Sequence, residues 1–528
     1  MTRFRRTLAL AASVGLGTAG AAYAAVAPTT PTGRVLLVGN YNGNHGTYSS
    51  LQDAVDAALP GDWILVGPGD YHTSSSRTPA DATGTPAGVL VQTAGLHIRG
   101  MDRNGVVVDG TKPGSSQCSN KTADQNLGPA GPHGPLGLNG ILVWKADNVS
   151  VENLTVCNFL GGAGEAGNEI WWNGGDNSGK IGGWGFTGNY LTATSTYFDS
   201  EATAAQYGIF SSNWSGGTWN HTYASNFNDS GYYIGACQDQ CDQTVNDAWA
   251  EYNALGYSGS NSGGQLVIQN SQFDNNQDGF DTNSQNGDNP PPQDGTCPNG
   301  ATSPITHTHS CWVFRNNYVH DNNNPNVPGA GSAAAGPVGT GMSLSGGRND
   351  TILNNVFTNN GAWGIILVPY PDSGPPCTGG LNTPAACLYD EYGDAVMGNV
   401  FGDNGSFKNV TNGDIAAVNL LPDATDCFSG NVEYEGGQMT TSPPMLQQLY
   451  PRCTGQTVPP DLNPLFLDQV ACDSQSVSIG PIAGGTFCLP GSNYPRRTQV
   501  MMHQLPSGLQ TMTDPCAGVP SNPWCPAR

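Results

Sequence analysis

A glycine followed by a large apolar residue returns about every 23 residues, and this repeat constrains the fold more than any other feature of the chain. The spacings are 23, 25 and 23 residues along one run and 23 along a second. The pairs are Gly208-Ile209, Gly231-Tyr232, Gly256-Tyr257, Gly279-Phe280, Gly341-Met342 and Gly364-Ile365. A unit of this length holds short strands and buries its inner face only against neighbouring units. The repeat therefore predicts an all-β solenoid, a β-helix whose equivalent residues stack about 4.8 Å apart in parallel sheets.

Two further signals extend the repeat. Asn228, Asn253 and Asn276 each stand three residues before a repeat glycine, so their side-chain amides are expected to stack and bond from coil to coil. Gly140 lies 68 residues before Gly208, which fits three periods. Asparagine at exposed turns is the alternative explanation, but it predicts no fixed offset.

The beginning of the chain carries two different patterns. Residues 1–24 combine Arg3, Arg5 and Arg6 with an apolar run and Ala22-Tyr23-Ala24, which is typical of a secretory signal, by the general or the twin-arginine route. From Thr47, a capping box of Ser49 and Gln52 opens an apolar stripe with helical spacing. We therefore expect a short capping helix followed by a buried strand at Trp63 to Val66.

Composition and charge exclude several classes of protein. Only 11% of residues are charged and 73 of 528 are glycine, which excludes helical bundles and coiled coils. The net charge of −23 makes nucleic acid an improbable partner, and no later apolar run reaches the roughly 18 residues of a membrane span. The 14 cysteines indicate disulfides and export. The expected local pairs are Cys237 with Cys241, Cys297 with Cys311, Cys377 with Cys387, and Cys472 with Cys488.

The domain organisation follows from where the repeat holds and where it breaks. We expect a linker at 25–46 and a β-helix at 47–435, with insertions near 284–310 and 369–390. Residues 436–528, rich in proline and cysteine, are predicted to form a disulfide-stapled region that caps the open end of the stack. A secreted monomer is the expected product.

The opening segment and the coils resemble those of pectin-lyase-like right-handed parallel β-helix proteins. Ser50-Leu51-Gln52-Asp53-Ala54-Val55, followed by Pro60-Gly61-Asp62, is similar to their capping helix and first turn. Ile352-Leu353-Asn354-Asn355-Val356-Phe357 is similar to their Asn-rich coils. The resemblance covers roughly residues 47 to 435 and implies right-handed coils. It leaves function open, because this fold hosts lyases, hydrolases, epimerases, esterases and non-catalytic surface proteins.

Phe273 to Asn283 is the stretch with the most candidate functional side chains. If Phe280 points into the core, Asp281 points outward, and Asp278 lies just before the repeat glycine. Asp274, Asp278 and Asp281 are therefore candidate ligands for Ca²⁺, which prefers hard oxygen donors. The stretch resembles the calcium site of one pectate-lyase family, with Gln277 in place of the first aspartate. Solvated turn aspartates are the plainer explanation.

The candidate catalytic residues are Asp278 and Arg315. The resemblance to polysaccharide lyases implies an arginine base, and Arg315 in the next coil is the nearest candidate, since it faces outward if Phe314 faces inward. A salt bridge from Arg315 to a neighbouring aspartate is the plainer explanation. Asn276 to Asp281 also resembles the first catalytic motif of polygalacturonase-type hydrolases, although the second aspartate pair of that family is missing. The candidate substrate-binding residues are Tyr233, Trp363 and His307.

The predicted function is action on a polysaccharide. A Ca²⁺-assisted lyase for a uronate-containing polymer comes first, since a metal could bridge an acidic substrate to this acidic protein. A glycoside hydrolase that uses Asp278 and Asp281 is the second possibility, and a non-enzymatic surface or carbohydrate-binding protein is the third.

Overall fold

The computed structural model describes residues 33–527 with internal gaps. The gaps are 74–75, 176–179, 239, 287–292, 294–311, 373–376, 385, 421–425, 454–455 and 475–488. His307 and the predicted pair Cys297–Cys311 lie outside the described residues.

Two long parallel sheets wind around one apolar core, which confirms the predicted β-helix. Among the described residues, sheet 1 has 19 strands and sheet 2 has 11, with every pairing inside them parallel and each coil after the first contributing to both. Crossovers between parallel strands of one sheet are right-handed in nearly all proteins, in agreement with the hand that the sequence resemblance implies.

The strands of sheet 1, in chain order, are Val35–Val38, Trp63–Val66, Gly69–His72, His97–Gly100, Val106–Asp109, Val149–Cys157, Phe186–Thr194, Gly217–Ser225, Gln243–Glu251, Leu266–Gln269, Gln272–Asp274, Trp312–Arg315, Tyr318–His320, Thr351–Leu353, Val356–Thr358, Ala395–Met397, Val400–Gly402, Cys427–Ser429 and Val432–Glu433. Those of sheet 2 are Ala87–Val91, Asn139–Trp144, Asn168–Asn173, Tyr207–Ser212, Ser230–Gly235, Leu255–Ser260, Asp278–Asn283, Thr340–Ser345, Trp363–Val368, Gly413–Ala417 and Thr441–Ser442. Small side sheets are formed by Asn40–Tyr41 with Asn44–His45, Ala130–Gly131 with Gly134–Pro135, Gly183–Trp184 with Trp214–Ser215, and Tyr370–Asp372, Leu381–Asn382 and Cys387–Tyr389.

The repeat positions stack as predicted. Ile209, Tyr232, Tyr257 and Phe280 are direct partners from strand to strand, and the rings of Tyr257 and Phe280 lie parallel at 4.3 Å. One expected spacing is wrong, because the interval from Gly140 to Gly208 does not hold three coils. Ile141 reaches Ile209 through Ile170 alone, so Gly140 and Gly208 are two coils apart, because long loops lengthen these coils.

Buried asparagines form two ladders along the stack. The first consists of Asn253, Asn276, Asn322, Asn360 and Asn404, and the second of Asn317, Asn355, Asn399 and Asn431. In both, a side-chain oxygen accepts from the backbone N–H of the asparagine one coil earlier. Asn228 is not a member, which corrects the prediction. The ladder position in its coil is occupied by Phe227, whose backbone N–H donates to Asn253 at 3.0 Å.

The amino-terminal end of the stack is closed by helix α1, Leu51–Ala57. It buries Leu51, Ala54 and Val55 in the core. The helix begins one residue later than predicted, because its N-cap is Ser50, whose side chain accepts from the backbone N–H of Asp53. Two single 3-10 turns, Thr122–Asp124 and Ala333–Ala335, lie in loops.

The carboxyl-terminal region does more than cap the stack. Helix α2, Leu446–Leu449, lies against the last coil, and helix α3, Pro464–Asp473, packs Phe466 and Val470 on the outer face of sheet 2. Beyond residue 489 the chain runs back along the stack as a strap. Its successive contacts are Met501 with Asn326, His503 with Asn226, Thr511 with Asn153, and Trp524 with Asn44.

Disulfides fasten loops and tail to the coils. The predicted pairs Cys237–Cys241 and Cys377–Cys387 are present. Three longer-range or tail pairs, Cys118–Cys157, Cys427–Cys453 and Cys516–Cys525, were not predicted. Cys472 is disulfide-bonded, and its predicted partner Cys488 lies outside the described residues. No helix among those described is long and apolar enough to span a membrane.

Candidate active site

One row of outward side chains on sheet 2 changes character along the stack. Strand pairing places its members in register in the order Trp171, Phe210, Tyr233, Ser258, Asp281, Ser343 and Ile366. The row is aromatic at one end, polar in the middle and apolar at the other end. The polar middle is the part that offers acid–base groups.

Asp281 is the central group of this polar part. Its carboxylate accepts from Ser345 Oγ at 2.8 Å and from Asn283 Nδ2 at 3.2 Å. Burial raises the pKa of Asp281 to about 6, against the lowering effect of these two donors. The prediction that Phe280 faces the core and Asp281 faces outward is confirmed, since Phe280 is fully buried and Asp281 is half-buried.

Asp278 stands behind Asp281 and is fully buried. Ser343 Oγ donates to one of its oxygens, and the backbone N–H of Phe280 donates to the other at 3.2 Å. Gly336 lies so close that a β-carbon there would come within 3.2 Å of the Asp278 side chain. Burial and the neighbouring Asp281 hold the pKa of Asp278 well above its usual range. Asp278 therefore reaches a bound molecule only through Ser343.

Three adjoining cavities form a groove over this row. The largest, about 480 Å³, is lined by Asp281, Ser343 and Ser345 on one side and by Leu467 and Val470 of helix α3 on the other. A polar cavity of about 120 Å³ and another of about 410 Å³ continue it toward the amino-terminal coils. Ser332 lines all three, so the loop that carries it forms one wall of the groove.

Asp229 provides a second carboxylate in the groove. It lines the same 120 Å³ cavity as Asp281 and accepts from the hydroxyl of Tyr207 at 3.0 Å. Asp229, which precedes its strand, was not predicted from the sequence, and neither were Ser343 and Ser345. The two serines could have been found by aligning the repeats, because they hold the offsets of Asp281 and Asn283 after a repeat glycine.

The predicted calcium ligands do not come together. Asp274 lies on sheet 1, where its carboxylate accepts from Trp249 Nε1 at 2.7 Å and Gln272 Nε2 at 2.9 Å, whereas Asp278 and Asp281 lie on sheet 2. The chain turns between the two sheets after Asp274, so nearness in sequence does not place the carboxylates on one face. Among described residues, the three are not a group whose ligand atoms lie within 4.8 Å of one another.

Arg315 and Trp363 are also placed differently from the prediction. Arg315 points outward as expected, but from sheet 1, where its guanidinium donates to Gln269 Oε1 at 2.8 and 2.6 Å. It therefore cannot act beside Asp278. Trp363 is fully buried under Phe466 and Tyr494, so it offers no ring to a sugar. Tyr233 lines the 120 Å³ cavity with Asp281 and stays a candidate binding residue.

A separate group of buried carboxyls is stacked from coil to coil in the same way as the asparagine ladders. The backbone N–H of Asp350 donates to Asp394 at 2.9 Å, and that of Asp394 donates to Asp426 at 2.9 Å. Asp390, Glu391 and Arg348 are the other charged groups there, and Arg348 lies over the rings of Tyr389 and Tyr392. Burial, with the neighbouring carboxyls, raises the pKa of Asp394 well above its usual range and that of Asp426 to about 7.

These carboxyls make stability depend on pH. Because their pKa values are higher in the folded state, their contribution is complete below about pH 4 and is lost as pH rises through about 7. We expect the free energy of unfolding, measured by urea denaturation, to be lower at pH 8 than at pH 5. Asp394→Asn should flatten this dependence, because an amide donates there as Asn399 does, whereas exposed Asp403→Asn should not. Equal pH dependence in wild type and Asp394→Asn would contradict the assignment.

Comparisons with known proteins leave the function of the chain open. No family model and no curated protein sequence matches the chain. Solved structures similar to it include the A-module of the mannuronan C-5 epimerase AlgE4 from Azotobacter vinelandii, with 12% identity, a TM-score of 0.42, and coverage of 73% of this chain and 90% of that one. Pectate lyase Pel9A has 15% identity, a TM-score of 0.36 and coverage of 78% and 80%. A family 28 exopolygalacturonase from Yersinia enterocolitica has 12% identity, a TM-score of 0.39 and coverage of 78% and 77%. The predicted resemblance to parallel β-helix proteins is confirmed by this chain's own sheets.

Proposed function

We propose that this protein is an exported glycoside hydrolase that binds a glycan along the groove on sheet 2. The observation that carries the proposal is Asp281, a half-buried carboxyl with a raised pKa that lines two adjoining cavities. Hydrolysis of a glycosidic bond uses two carboxyl groups, one of them an acid kept protonated by its surroundings. Asp281 fits the general acid, and Asp229, in the same cavity, is the second carboxyl.

The lining of the groove also bears on the substrate. Among the described residues that line the three cavities there is no lysine, arginine or histidine, while Asp229 and Asp281 are present, and the third carboxylate, Glu201, pairs with Arg497 at 3.2 Å. A polyuronate would meet like charge there, in a protein whose net charge is −23. An uncharged glycan avoids this repulsion. Arg315 lies on the other sheet, so the arginine base predicted for a lyase is not among the described residues that line the groove.

The test is a product analysis on a panel of neutral and uronate-containing glycans, with and without a chelator. We expect new reducing ends from a neutral glycan, no near-ultraviolet absorbance from unsaturated sugars, and no loss of rate with the chelator. Unsaturated products that disappear with the chelator would support the Ca²⁺-assisted lyase instead. Binding of a glycan without any product would support the non-enzymatic alternative.

A further inference from the structure

A mixed group of nitrogen and oxygen donors lies on sheet 1, on a different face from the groove. Asp70 and His72 share the strand Gly69–His72, and Asp109 on the next coil is the direct partner of His72. One ligand atom from each of the three residues lies within 4.8 Å of the others. The side chain of Asp70 is 28% exposed and that of His72 is 12% exposed, while Asp109 is fully buried. The group is therefore reachable from solvent on one side.

The surrounding chain fixes the orientation of these donors. The carboxylate of Asp109 accepts from the backbone N–H of Thr111 at 2.7 Å and from that of Cys118 at 2.5 Å. His72 Nδ1 lies 3.2 Å from both the backbone oxygen and the hydroxyl oxygen of Thr111, and in the tautomer that carries its proton on Nδ1 this nitrogen donates to the backbone oxygen. In that tautomer Nε2 has a lone pair 3.2 Å from a carboxylate oxygen of Asp70, and a cation bound between the two atoms removes their repulsion. An imidazole that donates one N–H to a backbone carbonyl and turns its other nitrogen to a ligand is the usual arrangement in metal sites.

A cavity beside the three donors supplies an independent observation. It has a volume of about 250 Å³ and is lined by Asp70, His72 and Thr73 together with Ser49 and Ser50. Thr73 is only 9% exposed, and its hydroxyl oxygen has no hydrogen-bond partner among the described residues. Burying a hydroxyl without a partner is costly, so this atom calls for a ligand or a water that the cavity admits.

We propose that Asp70, His72 and Asp109 bind a divalent transition-metal cation, with Zn²⁺ as the best fit. Zn²⁺ binds imidazole nitrogen and carboxylate oxygen, and where three residues hold it a fourth position stays open to water or a small ligand. Ca²⁺ and Mg²⁺ fit less well, because they require more oxygen donors and rarely accept imidazole. A cation also relieves the repulsion between two carboxylates on adjacent coils. The site ties the strands Gly69–His72 and Val106–Asp109 together near the amino-terminal end.

The test is metal titration of the full chain freed of metal by dialysis against a chelator. Isothermal titration with Zn²⁺ is expected to show one tight site per chain, and Co²⁺ in its place is expected to give a visible absorption band from a nitrogen- and oxygen-ligated ion. His72→Ala and Asp70→Asn should each weaken Zn²⁺ binding by at least ~100-fold and remove the Co²⁺ band, since even outer partners of metal ligands are worth roughly 10- to 100-fold.

The matched control is His221→Ala. His221 also pairs with an aspartate, Asp247, but this exposed pair offers only two donors. We expect it to keep the Zn²⁺ affinity of the wild type. Circular dichroism in the absence of metal checks that the variants stay folded, and Asp70→Asn, a conservative change at the exposed ligand, serves if His72→Ala does not. Absence of tight Zn²⁺ binding by the wild type, or equal affinity in wild type and Asp70→Asn, would overturn the proposal.

Discussion

Replacement of Asp281 by asparagine is expected to lower kcat for glycan hydrolysis by about 10²- to 10⁴-fold, the usual worth of a positioned general acid. Asparagine keeps the shape of the side chain and an oxygen that accepts from Ser345, but it has no acidic proton to give to the leaving oxygen. The coils should therefore remain intact, and the loss should appear in kcat rather than in the unfolding transition.

The pH profile gives this prediction a second readout. A general acid must be protonated, and the pKa of Asp281 is raised to about 6 by burial. The wild-type rate should therefore fall as pH rises through about 6, and this limb of the profile should be missing from the residual activity of Asp281→Asn. Asp229→Asn is expected to reduce kcat as well, because Asp229 lines the same cavity.

Two variants separate this mechanism from its alternatives. Asp53→Asn changes an exposed carboxyl on helix α1 and should leave the rate unchanged. Arg315→Ala should also leave it unchanged, because Arg315 bonds Gln269 on sheet 1, whereas a lyase with Arg315 as its base would lose all activity. Full activity in Asp281→Asn would refute its role as the acid.

The coils could be predicted from the sequence because each unit repeats the same requirement. In most strands of sheet 2 a glycine stands at the turn into the strand, with Glu169 and Asp414 as exceptions, and a large residue after it fills the core, so Gly279 and Phe280 recur in kind at Gly256 and Tyr257. Adding a β-carbon at Gly256 would place it 2.3 Å from the backbone oxygen of Gly279 in the next coil. The stacking therefore imposes the repeat on the sequence. The outward position of Asp281 could be predicted because it is fixed relative to Gly279 and Phe280.

The spacing of the repeats predicts which coil a residue belongs to, but not which of the two sheets it lies on. Asp274 and Asp278 are four residues apart, yet the chain leaves sheet 1 and enters sheet 2 between them. Arg315 likewise lies on sheet 1, one coil beyond Gln269, and not on the sheet that carries Asp278. The predicted calcium ligands, and the pair Asp278 and Arg315, are divided between two sheets because a coil has corners, and a single sequence does not show where the corners fall.

Contacts between distant segments were beyond the reach of the sequence. The wall of the groove at Ser332 and the helix α3 residues Leu467 and Val470 come from irregular chain that carries no repeat. The strap contacts join residues such as Arg99 and Ala517, 2.7 Å apart between the guanidinium and the backbone oxygen. These segments determine which outer side chains are covered, and so Trp363 is buried while Asp281 stays open to the groove.

Asn322→Ala is expected to lower the free energy of unfolding by about 3 kcal/mol or more, while the solvent-exposed surface of the folded protein stays nearly unchanged. Asn322 is fully buried, and its Oδ1 accepts from both the backbone N–H and the side-chain amide of Asn276 at 3.2 and 3.0 Å. Its Nδ2 donates to the backbone oxygen of Phe273 at 3.1 Å. Alanine removes this partner from the backbone N–H of Asn276 and the backbone oxygen of Phe273, while the side-chain amide of Asn276 keeps the backbone oxygen of Ala250, and each buried group left unpaired costs roughly 1–3 kcal/mol. Urea denaturation followed by circular dichroism measures the change.

Asn246→Ala is the matched control, because Asn246 also bonds asparagines on the two neighbouring coils but on the outer face of sheet 1. Its Nδ2 donates to Asn220 Oδ1 at 2.7 Å and its Oδ1 accepts from Asn270 Nδ2 at 2.7 Å, and water can replace these partners because the side chain is only partly buried. The cost should stay below about 1 kcal/mol, since a bond exposed to solvent contributes little net free energy. A loss of equal size in both variants would mean that the ladder stabilises the fold by stacking alone. Pairing of buried backbone groups would then contribute little to the free energy of unfolding. A large loss confined to Asn322→Ala would show that the amides hold the corners of the coils in register.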